Sequence, residues 1–219
     1  MDDAPDQFVR ARDRERWLSV LWAPAAARPA LFAIHALDLE QARVVADVSE
    51  PMLAEVRLAW WREQVQALGK GAPAPPQPLL AALATEALAR RVNLVALADI
   101  EEGHLPHLLE GAKDVAAIAA ARGGPLFVAL QTAIDGEPPA DAQRPALLAA
   151  GALWARARLW RDHGLFDGAG RAEGLRRIAP ALRGLVVLAD GDLRDAAKGR
   201  EPGRVANPVR QLRMALAVL

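Results

Sequence analysis

The chain reads as an all-α protein, and three observations predict it. Apolar residues recur at three- and four-residue spacing over most of its length, and strand-like alternation rich in valine, isoleucine and threonine is nearly absent. Proline and glycine punctuate the helical stretches at intervals. Its 219 residues are enough for one helical domain, and no linker divides it in two. The expected organisation is a flexible N-terminus over residues 1–12 and a helical domain over 13–219.

A first helix is expected over Asp13 to Trp22, stopped before Pro24 because the residue ahead of a proline avoids the α region. The second starts near Pro29, whose missing donor is harmless in a first turn, and runs to Val48. Ser49 offers an N-cap and Pro51 suits the next first turn. The helix from there to Leu68 is expected to bury Leu53, Val56, Trp60 and Val65. The stretch Gly69 to Pro78, GKGAPAPPQP, cannot continue a helix and reads as a surface connector. Leu79 to Arg91 and Asn93 to Leu109 make a helical pair, with Asn93 as cap.

Asp114 to Ile134 predicts a longer helix, bent or interrupted at Gly123, Gly124 and Pro125. Asp141 to Asp162 is the next helix, followed by the glycine-rich Gly164 to Gly174. Arg177 to Leu188, Asp190 to Lys198 and Pro208 to Leu219 complete the bundle. Alanine supplies much of the 53% hydrophobic fraction while aromatics make up 5%, so helices can approach closely.

Composition narrows the function classes. A net charge of +0 gives no long-range pull toward nucleic acid, and the absence of cysteine removes disulfides and thiolate metal sites. The segment Met1 to Gln7 lacks a basic-then-apolar signal pattern, and no unbroken apolar run approaches the ~20 residues that span a bilayer. The expectation is a soluble or peripheral protein, in the cytoplasm or on the inner membrane. Lys70, Lys113 and Lys198 are the only lysines, and this arginine and alanine bias suggests a GC-rich bacterial genome. No P-loop, GxSxG, HExxH or CxxC motif is present.

Helical spacing puts His35, Asp38, Leu39, Ala42 and Ala46 on one face, and Glu40, Arg43, Asp47 and Glu50 on a neighbouring stripe that reads as a solvated salt-bridge ladder. Arg158 and Asp162 are one turn apart and suit an ion pair. Trp60 and Trp61 point about 100° apart, as a cavity wall and a surface anchor, or as core. His104 and His107 lack a third metal ligand. Near the C-terminus, Arg204, Arg210 and Arg213 with an apolar face of Pro208, Leu212, Leu216 and Leu219 suit either anionic lipid or packing.

The corner Val48, Ser49, Glu50, Pro51, followed by Trp60, Trp61 and Arg62, resembles the squalene/phytoene synthase family. These all-helical enzymes condense two prenyl diphosphates head to head, holding diphosphate through magnesium bridged to carboxylates. Active members with this corner carry paired aspartates just before it. Aligned from the corner, those aspartates fall on Ala42 and Ala46, the acid beside the first falls on Arg43, and Asp47 alone keeps a negative charge. A second acidic motif maps onto Leu159 to Phe166, keeping its first aspartate as Asp162 and losing its last to Phe166. The family's N-terminal Ser and Phe motif reads Asp13 to Leu18, and there is no tyrosine. Alanine supplies no magnesium ligand, and arginine repels the metal while attracting bare phosphate.

The resemblance implies an isoprenoid synthase-like bundle, single-domain, with a shortened C-terminal part. It points to a pseudoenzyme in the branch that includes a mitochondrial complex I assembly factor. The implied role is binding at a membrane, to an isoprenoid or prenyl diphosphate or to a respiratory-chain protein, with no nucleic acid, no cofactor and no catalytic or metal residue. The implied substrate-binding set is Arg43, Asp47, Trp60, Arg158 and Asp162. The alternative is an active prenyltransferase that needs magnesium on displaced ligands, such as Asp38 with Asp162 opposite.

Overall fold

In the computed structural model, residues 4–47, 50–108, 111–168, 170–201 and 208–218 are described, and among them every regular element is a helix. Helix α1 (Pro5–Arg12) precedes α2 (Arg14–Leu21), and a short 3-10 turn leads into α3 (Arg28–Asp47) and α4 (Pro51–Gly69). After the Pro-rich connector come α5 (Pro78–Ala82), prolonged by a π-turn over Leu83–Ala87, and α6 (Leu94–Ala98). The long pair α7 (Val115–Asp135) and α8 (Arg144–His163) is followed by α9 (Pro180–Ala196) and α10 (Pro208–Val218).

Helix α3 is the spine, buried almost continuously from Ala30 to Gln41 and touching α1, α2, α4, α5 and α7. From α7 the packing proceeds to α8, from α8 to α9 and from α9 to α10, while α2 touches both α3 and α9. Helices α2, α3, α7, α8 and α9 therefore enclose a common axis. Helix α7 is long and apolar enough to cross a membrane by length and composition, but it is mostly buried inside the bundle and is a core helix here.

Local chemistry explains most helix ends. Asp13, Asn93 and Asp114 each accept a backbone N–H in the first turn of α2, α6 and α7, at 3.0–3.1 Å. Glycines with positive φ, Gly136 and Gly164, close α7 and α8. Arg91 takes the corresponding left-handed position after the π-turn helix, at φ 59. Its N–H donates to Leu88 and that of Val92 donates to Ala87, at 2.9 and 3.1 Å, which is a Schellman closure with arginine where glycine is preferred. That conformation costs a side-chain-bearing residue about 1–2 kcal/mol.

Several expectations need correction. Residues 5–12 were expected to be flexible, yet they form α1, which seats Phe8 and Val9 against α3. Asn93 to Leu109 was expected as one helix. Instead α6 gives way to 3-10 turns at Asp99–Gly103 and Leu105–Leu108, because Gly103 lies directly on the Arg122 backbone and Pro106 lacks a donor. Arg177 to Leu188 and Asp190 to Lys198 are one helix, α9, whose buried face runs unbroken from Ala181 to Leu193. Ser49 as N-cap lies outside the described residues; α4 is entered from Glu50 with Pro51 at its first position.

The buried face of α4 is Ala54, Leu58, Trp61, Val65 and Leu68. Of the expected residues only Val65 is buried; Leu53, Val56 and Trp60 face outward. Two apolar stripes run along this helix, and the longer one, spaced 4-3-4-3, wins the core.

Gly123 and Gly124 do not interrupt α7. A Cβ on Gly123 would lie 2.0 Å from the Gly151 carbonyl oxygen, so these glycines let the α7 and α8 backbones touch. Gly123→Ala should lower the melting temperature, read by circular dichroism, by about 2–12 °C. Overpacking costs about 1–3 kcal/mol and each kcal/mol shifts a chain of this size by about 2–4 °C.

Candidate functional site

A buried ionic cluster sits among the apolar side chains of the bundle core. Asp38 on α3 is fully buried, 0% exposed. Arg122 on α7 donates to both its oxygens, Nε to Oδ1 and Nη2 to Oδ2, each at 2.8 Å. Arg16 on α2 brings Nη1 to 2.7 Å from Oδ2, and His104 Nε2 lies 3.0 Å from Oδ1. Trp154 on α8 carries both guanidiniums on its ring, at 4.7 Å for Arg16 and 5.4 Å for Arg122.

The cluster continues outward. Asp13 caps α2, receives Arg16 Nε at 3.1 Å and stands 3.4 Å from Arg158. Arg158 in turn pairs with Asp162 at 3.1 Å. A second buried group lies alongside it. Arg210 of α10 donates to Glu15 at 2.8 Å and pairs with Asp192, which also receives Arg161 at 3.2 Å. Arg210 is thereby committed to the interior, not to lipid, while Leu212 and Leu216 face outward; Arg204 and Leu219 lie outside the described residues.

Burial alone would raise the Asp38 carboxyl, but Arg122 and Arg16 outweigh it and hold it well below the usual carboxylate range. Burial likewise opposes Arg158 and Arg16 at Asp13, and the arginines again keep the carboxyl low. His35, fully buried one turn before Asp38, is lowered to about 3 by burial and by Arg16. His104 is lowered by burial and by Arg122.

Two small clefts open beside this axis. The first, about 270 Å³, is lined by Ala42, Ala46, Arg43 and Asp47 of α3, by His104, His107 and Arg122, and by Asp162 and His163 of α8. The positions of both acidic motifs thus meet in one cleft. The second, about 360 Å³, holds Arg10, Arg12, Arg14, Arg158 and Arg161, and shares Arg12 and Asp162 with the first.

Of the predicted set, Arg43, Asp47 and Asp162 line the first cleft, and Arg158 joins Asp162 in the second. Trp60 lines neither; it is 41% exposed on the outer face of α4, while Trp61 is the core tryptophan. Arg43 is held by Glu40 at 2.6 Å and Asp47 at 3.0 Å, as one-turn spacing expected, but Glu40 is buried where a solvated ladder was expected. Asp38 cannot serve as a displaced ligand, because two guanidiniums occupy its oxygens. His107 stacks on His163 with ring centroids 4.1 Å apart.

This donor set does not fit magnesium, which asks for several free carboxylate or carbonyl oxygens in octahedral array. Asp47 and Asp162 are each engaged by an arginine, Ala42 and Ala46 present methyl groups, and Arg12, Arg43 and Arg122 add positive charge. Among the described residues no three His, Asp or Glu side chains are grouped to hold a metal. What the cleft can do chemically is meet an anion.

Sequence reading missed Arg16, Arg122 and Trp154. The available signal was Arg122 itself, the one charge inside the apolar stretch from Val115 to Ile134, which demands a buried carboxylate on a facing helix.

Asp38→Asn should destabilise the fold by about 3–5 kcal/mol in urea unfolding, because two guanidiniums are left buried without their counter-charge. Stability should also fall as pH drops below the ordinary histidine pKa of 6.5. There the unfolded imidazole of His35 takes a proton that the folded one refuses until about 3. The slope is about 1.4 kcal/mol per pH unit for each such proton, and His35→Leu should flatten it by that amount.

Residues 9–114 match the squalene/phytoene synthase family. NADH dehydrogenase (ubiquinone) complex I assembly factor 6 of Homo sapiens is 34% identical over 73 residues, covering 33% of this chain and 22% of the relative. The Bos taurus protein of the same description is 33% identical over the same shares. The aligned segment therefore spans about a fifth of those curated relatives' length. A crystal structure of a dehydrosqualene synthase in complex with ligand superposes with a TM-score of 0.71 at 11% identity, covering 98% of this chain and 92% of that one. Residues 9–114 are thus similar to the squalene/phytoene synthase family, and nearly the whole chain shares the fold of the dehydrosqualene synthase.

Proposed function

We propose that this protein is a non-catalytic squalene/phytoene synthase-like scaffold that works by binding, with a respiratory-chain protein at a membrane as its partner and complex assembly as its role. The observation that carries the non-catalytic reading is Asp38, gripped on both oxygens by Arg122 and approached by Arg16 at the axis of the fold. A diphosphate with its magnesium needs free carboxylates there, and this axis offers committed ones beneath alanines. The name of the human and bovine relatives supports the assembly role.

The outward stripe of α4 supports a protein partner. Met52 is 76% exposed and Val56 61%, and with Leu53 and Trp60 they form a contiguous apolar strip of the kind that marks interaction surfaces. A second reading, isoprenoid diphosphate bound without metal, draws on the arginines of the clefts, Arg12 and Arg43 foremost.

Incubation with farnesyl diphosphate and magnesium should release no pyrophosphate above the blank. Turnover that disappears in Asp162→Ala would establish the active prenyltransferase instead. For the second reading, Arg43→Glu should weaken farnesyl diphosphate binding about tenfold or more, the loss of a charge-assisted hydrogen bond being about 1.5–3 kcal/mol. Unchanged affinity removes Arg43 from the site. In native-membrane pull-downs, a respiratory-chain subunit recovered with the wild type should be lost with a folded Val56→Asp variant, and equal recovery excludes α4 as the docking face.

A further inference from the structure

A third cavity, about 330 Å³, lies between α6, α7 and the start of α8 and shares no lining residue with the two central clefts. Its wall is apolar, with Leu97, Val128, Ala129 and Leu148 among its residues. Two arginines, Arg91 and Arg144, also line it, and both are exposed. Neither has an ion-pair or side-chain hydrogen-bond partner among the described residues, whereas most arginines of the central clefts are engaged. The carboxylate in the lining, Asp99, faces Arg62 at 3.5 Å.

Both arginines occupy positions that local rules assign to other residues. Arg91 holds the left-handed closure that Gly136 and Gly164 provide on α7 and α8. Arg144 stands at the first position of α8, where the helix dipole favours an acid. Two such conflicts converging on one cavity are expected where function, not folding, selects the residue. An apolar wall of this size with unpaired guanidiniums at its edge suits a ligand with an anionic head and a short hydrocarbon body.

We propose that this cavity binds a small anionic amphiphile, a carboxylate or a phosphate monoester on a short apolar chain, with Arg91 and Arg144 taking the head group. The site is independent of the central clefts and of their proposed role.

Isothermal titration calorimetry of the full chain tests it with octanoate, octyl phosphate, inorganic phosphate and octyltrimethylammonium. Saturable binding of octanoate or octyl phosphate is expected, and the tighter of the two identifies the head group. Arg91→Gly and Arg144→Gln should each weaken it at least about tenfold, the scale of one charge-assisted contact. Arg91→Gly relieves the left-handed strain, so its melting temperature should equal or exceed the wild type, which separates lost binding from lost folding. Arg43→Glu, in the central cleft, should leave the affinity unchanged. The proposal is overturned by any of four results: no binding of either amphiphile up to about 1 mM; wild-type affinity in either arginine variant; inorganic phosphate or the cationic amphiphile binding as well as octyl phosphate; or loss of binding in Arg43→Glu.

Discussion

Everything at the centre of this bundle is arranged around one carboxylate. Asp38 is charged, fully buried and shared between guanidiniums from two helices that are distant in sequence. A buried charge is tolerable only when paired and hydrogen-bonded, so the positions of α2, α3 and α7 are mutually fixed. Trp154 extends that constraint to α8 by lying under both cations. The Glu15, Arg210 and Asp192 group repeats the device further out and ties α10 to α2 and α9. In a chain with few aromatics and much alanine, charge pairing supplies specificity that bulky side chains provide elsewhere.

The helical architecture was legible because its signals are local. Caps such as Asp13, Asn93 and Asp114, and stops such as Pro24 and Gly164, act within one turn, and they delimit most helices correctly. Where two stripes compete, local periodicity cannot decide. Leu53, Val56 and Trp60 have the same helical spacing as Leu58, Trp61 and Val65, and only the neighbouring α3 and α6 settle which set is buried. Gly123 was misread for the same reason, since its purpose is set by Gly151, twenty-eight positions away.

The candidate site was legible where sequence neighbours define it and opaque where the fold does. The ladder of Glu40, Arg43 and Asp47 and the pair Arg158 and Asp162 follow from one-turn spacing alone. The meeting of Ala42 and Ala46 with Asp162 and His163 across one cleft is set by the fold, not by spacing. The Asp38 cluster spans sequence separations of 66 and 84 residues to His104 and Arg122, and no local rule connects them.

The same cluster limits how metal ligands could be placed in the neighbouring cleft. A single aspartate at position 42 or 46 would enter a cleft already populated by Arg12, Arg43 and Arg122, and its nearest favourable contact would be a guanidinium, not a divalent ion. Placing metal ligands there therefore requires removing cations at the same time, and removing Arg122 leaves Arg16, among the described residues, as the one guanidinium balancing the buried charge of Asp38.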